Sequence, residues 1–222
     1  EIGRRVAKLK DELDGVSAHR SRHRMKRQQT ELQVVSLVGY TNAGKSTLLN
    51  RMAGAKVLSA DMLFATLDPT TRRVSMPGGR DVLLTDTVGF IQKLPTHIVA
   101  AFRATLEEII EADVLLHVVD ATHPNVEAQI DAVKDTLAEL EVEHLPTVYA
   151  FNKADQLPEG TTLADLPAVN SDFSVLVSAK TGTGLNELRR AIVKAVEQTY
   201  EPIEVILPYD RGDMLSLFYE RG

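Results

Sequence analysis

The stretch that decides the fold lies near residue 40 and reads Gly39-Tyr40-Thr41-Asn42-Ala43-Gly44-Lys45-Ser46-Thr47. A continuous apolar run before it predicts a buried strand at Gln33–Val38, and the pattern after it predicts a helix that runs to about Ala53. Strand, Gly-x-x-x-x-Gly-Lys-Ser and helix, in that order, are typical of a phosphate-binding loop. The glycines let backbone N–H groups surround a phosphate chain at the positive end of the helix.

The loop motif predicts a role for each of its polar side chains. Lys45 is expected to reach the β- and γ-phosphates of a nucleotide, and the Ser46 hydroxyl to hold Mg²⁺. Asn42 has two interpretations, because it can ligate a potassium ion beside the phosphates or merely brace the loop. The further loop residues expected to contact the nucleotide are Ala43, Gly44 and Thr47.

Length and composition indicate one domain of moderate size with appendages, since 222 residues that are 44% apolar can bury a full core. The chain has no cysteine, which excludes disulfides and thiol chemistry. No apolar run approaches the roughly 20 residues that span a bilayer, and the first residues do not have the pattern of a signal peptide. We expect no stable membrane insertion, a cytoplasmic location and a monomer. Because the first residue is Glu1 rather than Met, we also expect a piece of a longer product.

Charge is distributed unevenly along the chain. Residues 1–30 hold nine Lys and Arg against four Asp and Glu, a net charge of +5, so the remaining residues carry −11 of the total of −6. Apolar residues at helical spacing in residues 2–16 predict a helix that packs on a partner. Residues 18–30 are basic without any acid, and they are either a solvated linker or a surface that contacts phosphates or RNA. An acidic body with a basic leading arm is not typical of a general nucleic-acid binder.

Predicted strands and helices alternate from residue 33 onward, which indicates an α/β fold around a mostly parallel sheet. The further predicted strands are Thr71–Met76, Asp81–Thr85, Val114–Val119, Thr147–Phe151 and Phe173–Val177. The further predicted helices are His97–Glu111, Val126–Leu140 and Leu185–Gln198. Residues Met76–Arg80 contain Pro-Gly-Gly and predict a hairpin. Irregular connections are expected at residues 57–71 and Pro158–Asn170, and a new unit with strand Ile203–Leu207 and helix Met214–Tyr219 starts after Pro202.

Asp86-Thr87-Val88-Gly89 ends a predicted apolar strand some forty residues after the phosphate loop. There the Asp86 carboxylate can hold the water shell of a magnesium ion, and the Gly89 N–H can bond a γ-phosphate. A nucleotide switch also needs a hydroxyl that reaches Mg²⁺ from the segment between these two motifs. Spacing leaves Thr66, Thr70 and Thr71 as candidates.

Asn152-Lys153-Ala154-Asp155 follows the fifth predicted strand and points to the base. The Asp155 carboxylate can accept hydrogen bonds from N1–H and N2–H₂ of guanine, a donor pair that adenine lacks, so an ATPase is disfavoured. Lys153 is expected to lie along the purine face, and Asn152 to tie this segment to the phosphate loop. The segment after the sixth strand, Ser178-Ala179-Lys180, is expected to supply backbone N–H to the guanine O6.

Five segments together resemble the signature elements of translational-type GTPases, namely Gly39–Ser46, Phe64–Arg72, Asp86–Phe90, Asn152–Asp155 and Ser178–Lys180. More narrowly, the chain resembles the HflX family of ribosome-associated GTPases. The segments that carry this resemblance are Gly39–Thr47, Leu63–Thr70, Asp86–Ile91 with Leu94-Pro95, Thr105–Glu108 and Leu207–Asp210.

The resemblance implies GTP and GDP as ligands with Mg²⁺, and a P-loop NTPase fold with a six-stranded sheet and helices on both faces. It makes Thr66 the magnesium-binding switch threonine, with Thr70 as the lesser candidate. It implies a partner in the large ribosomal subunit and its rRNA, and the separation of ribosomal subunits under stress. The family carries a glycine-rich N-terminal domain and a fuller C-terminal domain. We accordingly expect a basic helical arm at 1–31, a GTP-binding domain at 32–200 and the start of a truncated C-terminal α+β domain at 201–222.

Hydrolysis is expected to use Lys45, Thr66 and Gly89 around the transferring phosphoryl group. Phe90 stands where Ras-like enzymes place a glutamine that orients the attacking water, and phenylalanine cannot do so. We therefore expect GTP hydrolysis by the isolated chain to be slow, and a partner such as the ribosome to accelerate it. The alternative function is an RNA- or ribosome-binding module that uses GTP occupancy as a signal. His117 could be imagined as a base, but a histidine inside a strand is more often a core residue.

Overall fold

The computed structural model of this chain describes residues 32–54, 70–87, 89, 109–169 and 171–200. Its strands are β1 Val34–Val38, β2 Thr70–Ser75, β3 Asp81–Asp86, β4 Val114–Asp120, β5 Thr147–Asn152 and β6 Ser174–Leu176. Its α-helices are α1 Lys45–Met52, α2 Val126–Glu139 and α3 Leu185–Glu197. Short 3₁₀ turns lie at Pro77–Gly79, Ala154–Gln156 and Leu163–Asp165.

The six strands form one sheet in the order β2-β3-β1-β4-β5-β6. The β2–β3 pair is antiparallel and every other neighbouring pair is parallel, so the predicted six-stranded, mostly parallel sheet is confirmed. The hairpin between β2 and β3 closes where the Met76 N–H donates to the Arg80 carbonyl at 2.7 Å. Because β1 lies at the centre, the loop that follows it opens at the middle of the sheet's carboxyl edge.

Helices cover both faces of the sheet, as the fold class predicts. On one face, Leu116 of β4 shares a core with Leu48 of α1 and Leu188 of α3. On the other face, Leu115 packs in a cluster with Val133 of α2. The alternate residues of β4 thus enter different cores, which explains why its sequence is apolar throughout instead of alternating.

Three strands continue one residue further than their apolar runs predict, and in each case the added residue is polar. β3 ends at Asp86, β4 at Asp120 and β5 at Asn152. Pairing explains the difference, because Asp86 lies opposite Leu37 of β1 and Asp120 lies opposite Asn152. The sheet therefore holds these polar residues in register at its carboxyl edge, where parallel α/β sheets bind ligands.

β6 is shorter than predicted, since Phe173 and Val177 lie just outside it. Both residues still form backbone hydrogen bonds to β5, with Tyr149 and Phe151 respectively. Several predictions lie outside the described residues: the arm at 1–31, the switch residue Thr66, Phe90, and the C-terminal unit at 201–222. The helix predicted at 97–111 is described only at its end, where Ile109 is buried. Within the described ranges, no helix has the length and apolar character to cross a membrane.

Candidate functional site

The loop between β1 and α1 has the backbone of a tight phosphate-binding turn. Asn42 and Gly44 have positive φ values of 62° and 95°, so the chain turns sharply before α1 begins at Lys45. Gly39 has a φ of 144°, and a Cβ there would lie 2.2 Å from the Val118 carbonyl oxygen of β4. Only glycine allows this close approach. The loop is therefore pressed onto the sheet, with the N-terminus of α1 directed into it.

Lys45 is buried at the centre of this loop. Its Nζ donates to the carbonyl oxygens of Gly39 at 3.0 Å and Tyr40 at 2.9 Å. Burial lowers the pKa of Lys45 to about 8, and the nearby negative charge of Asp86 opposes that shift. The ammonium group is thus held over the loop by backbone carbonyls.

The segment after β3 lies directly against the phosphate loop. Asp86 is buried at the end of β3, and the Thr87 Oγ1 donates to the Leu37 carbonyl of β1 at 2.5 Å. A Cβ on Gly89 would lie 2.8 Å from the Thr41 Cα and 2.9 Å from the Lys45 Nζ. Gly89 therefore brings its backbone within reach of the loop and its lysine, at a place with no room for a side chain.

Asn152 joins three segments through one buried amide. Its Nδ2 donates to the Ala43 carbonyl of the phosphate loop at 2.8 Å, and its Oδ1 accepts from the Ala179 N–H at 2.9 Å. A Cβ on Gly44 would lie 2.3 Å from the same Nδ2, so the loop can contact Asn152 only with glycine at this position. Within the segment Ser178-Ala179-Lys180, which was predicted to supply backbone N–H to a guanine O6, the Ala179 N–H donates to Asn152 in this structure.

Asp155 has its carboxylate oriented by the segment after β6. The Ser178 Oγ donates to Asp155 Oδ1 at 2.6 Å and itself accepts from the Thr181 N–H at 3.1 Å. The Lys180 Nζ lies 3.9 Å from Asp155 Oδ2 on the exposed side. Because Thr181 occupies the acceptor side of the Ser178 hydroxyl, its proton is directed to Asp155. The two base-recognition motifs of the sequence thus form one hydrogen-bonded unit.

An ion pair that the motifs did not predict stands beside this unit. Lys153 donates through Nζ to Asp120 Oδ2 at 2.6 Å. Asp120 ends β4 and lies opposite Asn152 in the register of β4 with β5. An acid that ends an apolar strand next to the strand bearing Asn-Lys-x-Asp is a sequence signal, but it has meaning only once the strand order is known.

A second unpredicted contact ties α1 to the base-recognition segment. Arg51, in the last turn of α1, donates through Nη2 to the Thr181 carbonyl at 2.7 Å. From the other side, the Arg189 Nη2 of α3 donates to the Met52 carbonyl at 3.1 Å. The helix that starts at the phosphate loop therefore ends against the loop that orients Asp155.

The candidate switch threonines are only partly described. Thr70 and Thr71 begin β2, and the Thr71 Oγ1 lies 3.0 Å from the Thr85 Oγ1 of β3. Thr70 pairs with Asp86 in the β2–β3 register. Ser46 and Thr47 lie half-buried in the first turn of α1, whereas Asn42 is exposed. The choice of Thr66 stays a prediction.

His117 lies in the core of the sheet. It is buried in β4, and its ring centroid lies 5.0 Å from that of Tyr149 on β5. Burial, together with the smaller effect of the positive charges of Lys45 and Lys134, lowers the pKa of His117 to about 3. The imidazole is therefore neutral at physiological pH. Among the described residues, its Nδ1 has no hydrogen-bond partner. This environment agrees with a core residue and not with a catalytic base exposed to substrate.

A phosphate loop on the central strand, an acid on the neighbouring strand and an Asn-Lys-x-Asp segment beside it define the class of P-loop GTPases. The family model described as "50S ribosome-binding GTPase" matches residues 34–153. The chain belongs to this family of GTPases.

Curated relatives narrow the comparison to HflX-type proteins. The chain is 45% identical over 218 residues to a GTPase HflX of Lacrimispora saccharolytica, covering 98% of this chain and 51% of that protein. It is 48% identical over 222 residues to a GTPase HflX of Magnetococcus marinus, covering 98% and 50%. The predicted resemblance to the HflX family is confirmed. The chain spans about half the length of these curated relatives.

A solved structure shares the fold. A GTP-binding protein from Sulfolobus solfataricus, crystallised in complex with GDP, superposes with a TM-score of 0.61 at 25% sequence identity. The match covers 86% of this chain and 62% of that one. The α/β P-loop fold predicted from the sequence is confirmed by this likeness together with the observed sheet.

Proposed function

We propose that this chain binds GTP and GDP and hydrolyses GTP as a nucleotide switch. The observation that carries the proposal is the Asn152 amide, which joins the Ala43 carbonyl of the phosphate loop to the Ala179 N–H of the base-recognition segment. Because the same buried side chain holds the phosphate loop and the base-recognition segment, a nucleotide that contacts both of them binds to a preorganised site. The family match of residues 34–153 supports the same function.

Guanine is the base that the Asp155 environment favours. The Asp155 carboxyl group is oriented by the Ser178 hydroxyl, and its oxygens keep lone pairs that can accept from the adjacent N1–H and N2–H₂ of guanine. Adenine has no such pair of donors, so it would leave the carboxylate unsatisfied. Lys153 would lie along the purine face with its ammonium held by Asp120.

Replacing Asp155 tests the assignment of the base. In Asp155→Asn, the amide nitrogen can donate to the O2 of xanthine, while one of the two oxygen acceptors for guanine is replaced by a donor that faces the guanine amino group. We expect the affinity for GDP to fall about a hundredfold and the affinity for XDP to rise, because hydrogen bonds to charged groups contribute about 1.5–3 kcal/mol each. Titration calorimetry with both nucleotides measures the shift. Asp165→Asn, which changes only the capping of the 3₁₀ turn Leu163–Asp165, is the matched control. Unaltered guanine preference in Asp155→Asn would contradict the assignment.

The residues at the phosphate loop fit a magnesium ion that is shared with the nucleotide. Ser46 and Asp86 offer a hydroxyl and a carboxylate, the oxygen donors that Mg²⁺ prefers. In the described part of the chain, no group of three or more His, Cys, Asp or Glu could hold a metal alone. Mg²⁺ usually takes one or two protein ligands and completes its coordination with waters and substrate phosphates. Thr66 would add a second hydroxyl, and Mg²⁺ would help to neutralise charge on the phosphates.

The residues of this chain can neutralise the charge of the phosphates, but none of those named here can orient the attacking water. The Lys45 ammonium and the Gly89 backbone lie together at the phosphate loop. Phe90 follows Gly89 and cannot orient a water molecule or take a proton. The exposed Asn42 allows two roles, a brace for the loop or a ligand for K⁺ that would supply a further positive charge. Hydrolysis by the isolated chain should therefore be slow.

The large ribosomal subunit is the partner that we propose for stimulating this reaction. The family description names a 50S ribosome-binding GTPase, and the HflX relatives match nearly the whole chain. By this likeness, the complete protein would act in the cytoplasm as a monomer and separate ribosomal subunits under stress.

Two measurements of GTP turnover test the enzymatic part of the proposal. Steady-state hydrolysis should rise at least about tenfold when large subunits are added, as expected when a partner completes a phosphoryl-transfer site. Equal rates with and without subunits would exclude stimulation. The alternative function is a module that binds RNA or ribosomes and uses GTP occupancy as a signal, and it is favoured by Phe90 and by the basic residues 18–30. Single-turnover hydrolysis of bound GTP separates the two functions. No phosphate release with subunits present would support that alternative.

A further inference from the structure

The ion pair between Asp120 and Lys153 lies directly behind the base-recognition segment. Its Nζ–Oδ2 distance is 2.6 Å, and the two side chains are 13% and 28% exposed for Asp120 and Lys153 respectively. Most exposed ion pairs contribute little because water screens them, but this one is largely withdrawn from solvent. It also joins β4 to the residue that follows β5, which is the segment that carries Asp155.

Lys153 is constrained at both ends of its side chain. Its backbone has φ 69° and ψ 30°, a left-handed conformation that is uncommon for a residue other than glycine. Backbone bonds hold this conformation, since the Lys153 carbonyl accepts from the Gln156 N–H at 2.9 Å and the Ala154 N–H donates to the Val177 carbonyl at 3.0 Å. With the Cα held by these bonds and the ammonium held by Asp120, the aliphatic stem has little freedom.

Asp120 is itself oriented before it meets the lysine. Its Oδ1 accepts from the Thr122 N–H at 3.0 Å and from the Thr122 Oγ1 at 2.7 Å, which leaves Oδ2 for Lys153. Burial alone would raise the pKa of Asp120, but the hydrogen bonds from Lys153 and Thr122 outweigh it and lower the pKa. The group is therefore a fixed carboxylate at neutral pH.

We propose that Asp120 is a positioning residue for guanine-nucleotide binding, which acts by anchoring the Lys153 ammonium so that the lysine stem forms a preformed wall for the purine. This inference rests on the proposed function of nucleotide binding. Anchoring has a physical benefit, because a free lysine side chain loses rotamer freedom when a ligand packs on it, whereas an anchored one has already lost it.

The direct test is Asp120→Asn in the full 222-residue chain. The amide keeps the shape and can still accept from Thr122, but it loses the charge that holds Lys153. We expect a fluorescent GDP analogue to dissociate about tenfold faster, since charge-assisted hydrogen bonds are roughly twice as strong as neutral ones. Asp81→Asn is the matched control, because it breaks an ion pair with Arg73 in the β2–β3 hairpin, away from the nucleotide site. It should leave dissociation unchanged.

A double-mutant cycle separates positioning from a general structural role. Lys153→Met keeps the stem and removes the ammonium, so adding Asp120→Asn to it should change GDP dissociation by less than about twofold if Asp120 acts through Lys153. An undiminished effect of Asp120→Asn in the Lys153→Met background would overturn the proposal. Thr122→Val, at an exposed position, removes one bond to Asp120 and should speed dissociation in the same direction but less. It keeps the proposal falsifiable if Asp120→Asn fails to fold.

The outcomes distinguish this inference from the function on which it rests. If the unmodified chain binds no guanine nucleotide, the proposed function fails and the positioning role fails with it. If the unmodified chain binds GDP and both Asp120→Asn and Thr122→Val release it at the unmodified rate, only the positioning role is overturned.

Discussion

Single buried polar residues hold the candidate site together. Lys45, Asn152 and Asp86 are all buried, and buried polar groups destabilise a fold unless they are paired. Lys45 is bonded to loop carbonyls, and Asn152 to backbone groups on both sides. The Lys45 and Asn152 side chains therefore hold the loops of the site in place. A substitution at one of them should affect both binding and stability.

The pKa of Lys45 predicts a pH dependence of nucleotide affinity. With a pKa of about 8 in the free protein, Lys45 is protonated at lower pH and becomes neutral as the pH rises. Bound phosphates favour the ammonium form and raise its pKa, so binding takes up a proton in this range. The affinity for GDP should thus fall as the pH rises above about 8.

Calorimetry in buffers of different ionisation enthalpy measures the proton uptake. Lys45→Arg provides the control, because a guanidinium stays charged over the whole range and should abolish the uptake whatever its affinity. Uptake that is the same in Lys45→Arg would mean that another group titrates.

Helix α1 links the phosphate loop to the base-recognition segment at the scale of whole elements. It starts after Gly44 beside Asn152, and Arg51 in its last turn donates to the Thr181 carbonyl. A glycine with positive φ lies near each end of α1. Gly44, with φ 95°, precedes the helix, and Gly54, with φ 69°, lies two residues after its end. The two glycines differ in their surroundings, which allows backbone strain and packing to be separated.

Gly44→Ala and Gly54→Ala should have different effects on binding. A Cβ at Gly44 would lie 2.3 Å from Asn152 Nδ2, whereas a Cβ at Gly54 would meet no described atom within 4 Å. Each alanine should lower the free energy of unfolding by about 1–2 kcal/mol, because an L-residue is strained in the left-handed backbone conformation. Only Gly44→Ala displaces Asn152, so we expect its GDP affinity to fall at least about tenfold, as when a buried hydrogen-bond partner is lost. Urea unfolding and calorimetry measure the two effects. Equal GDP affinity of the two variants would contradict the role of Asn152.

Over the whole molecule, charge separates a basic leading segment from an acidic body. Residues 1–30 carry a net charge of +5, and the rest of the chain carries −11. An acidic body is repelled by rRNA, so a ribosome contact would depend on the basic segment or on local complementarity. This distribution gives the proposed ribosome association a testable dependence on residues 1–30 and on salt.

Ribosome pelleting should respond to removal of the basic segment. We expect the chain without residues 1–30 to sediment with large subunits less than the full chain does, and the difference to shrink as salt increases. The assay compares GDP, a non-hydrolysable GTP analogue and no nucleotide. A variant of the 222-residue chain with Arg20, Arg22 and Arg24 replaced by Gln keeps the length and removes three of the positive charges. Unchanged pelleting of both variants would show that this segment contributes no ribosome contact.

The order of elements and the class of the protein were determined by the sequence. Apolar runs at residues 34–38 and 114–119 predicted strands, and Pro-Gly-Gly at 77–79 predicted the hairpin. These features depend on neighbours in the chain, for which periodicity and turn chemistry are direct signals. The phosphate-loop and Asn-Lys-x-Asp motifs indicated the family for the same reason, because each is a short contiguous segment whose backbone performs one task.

Tertiary structure alone decided the polar contacts that no motif predicts. Asp120 and Lys153 are 33 positions apart, and Arg51 and Thr181 are 130 apart. No local pattern specifies such pairs, because they depend on the strand order β1-β4-β5-β6 and on the register that sets Asp120 opposite Asn152. The sequence by itself thus determined that a guanine-nucleotide site of this class should form on a parallel sheet. Only the packing of β4 beside β5 decided that an acid outside every motif would hold the lysine of that site, because strand neighbours bring distant residues within hydrogen-bonding distance.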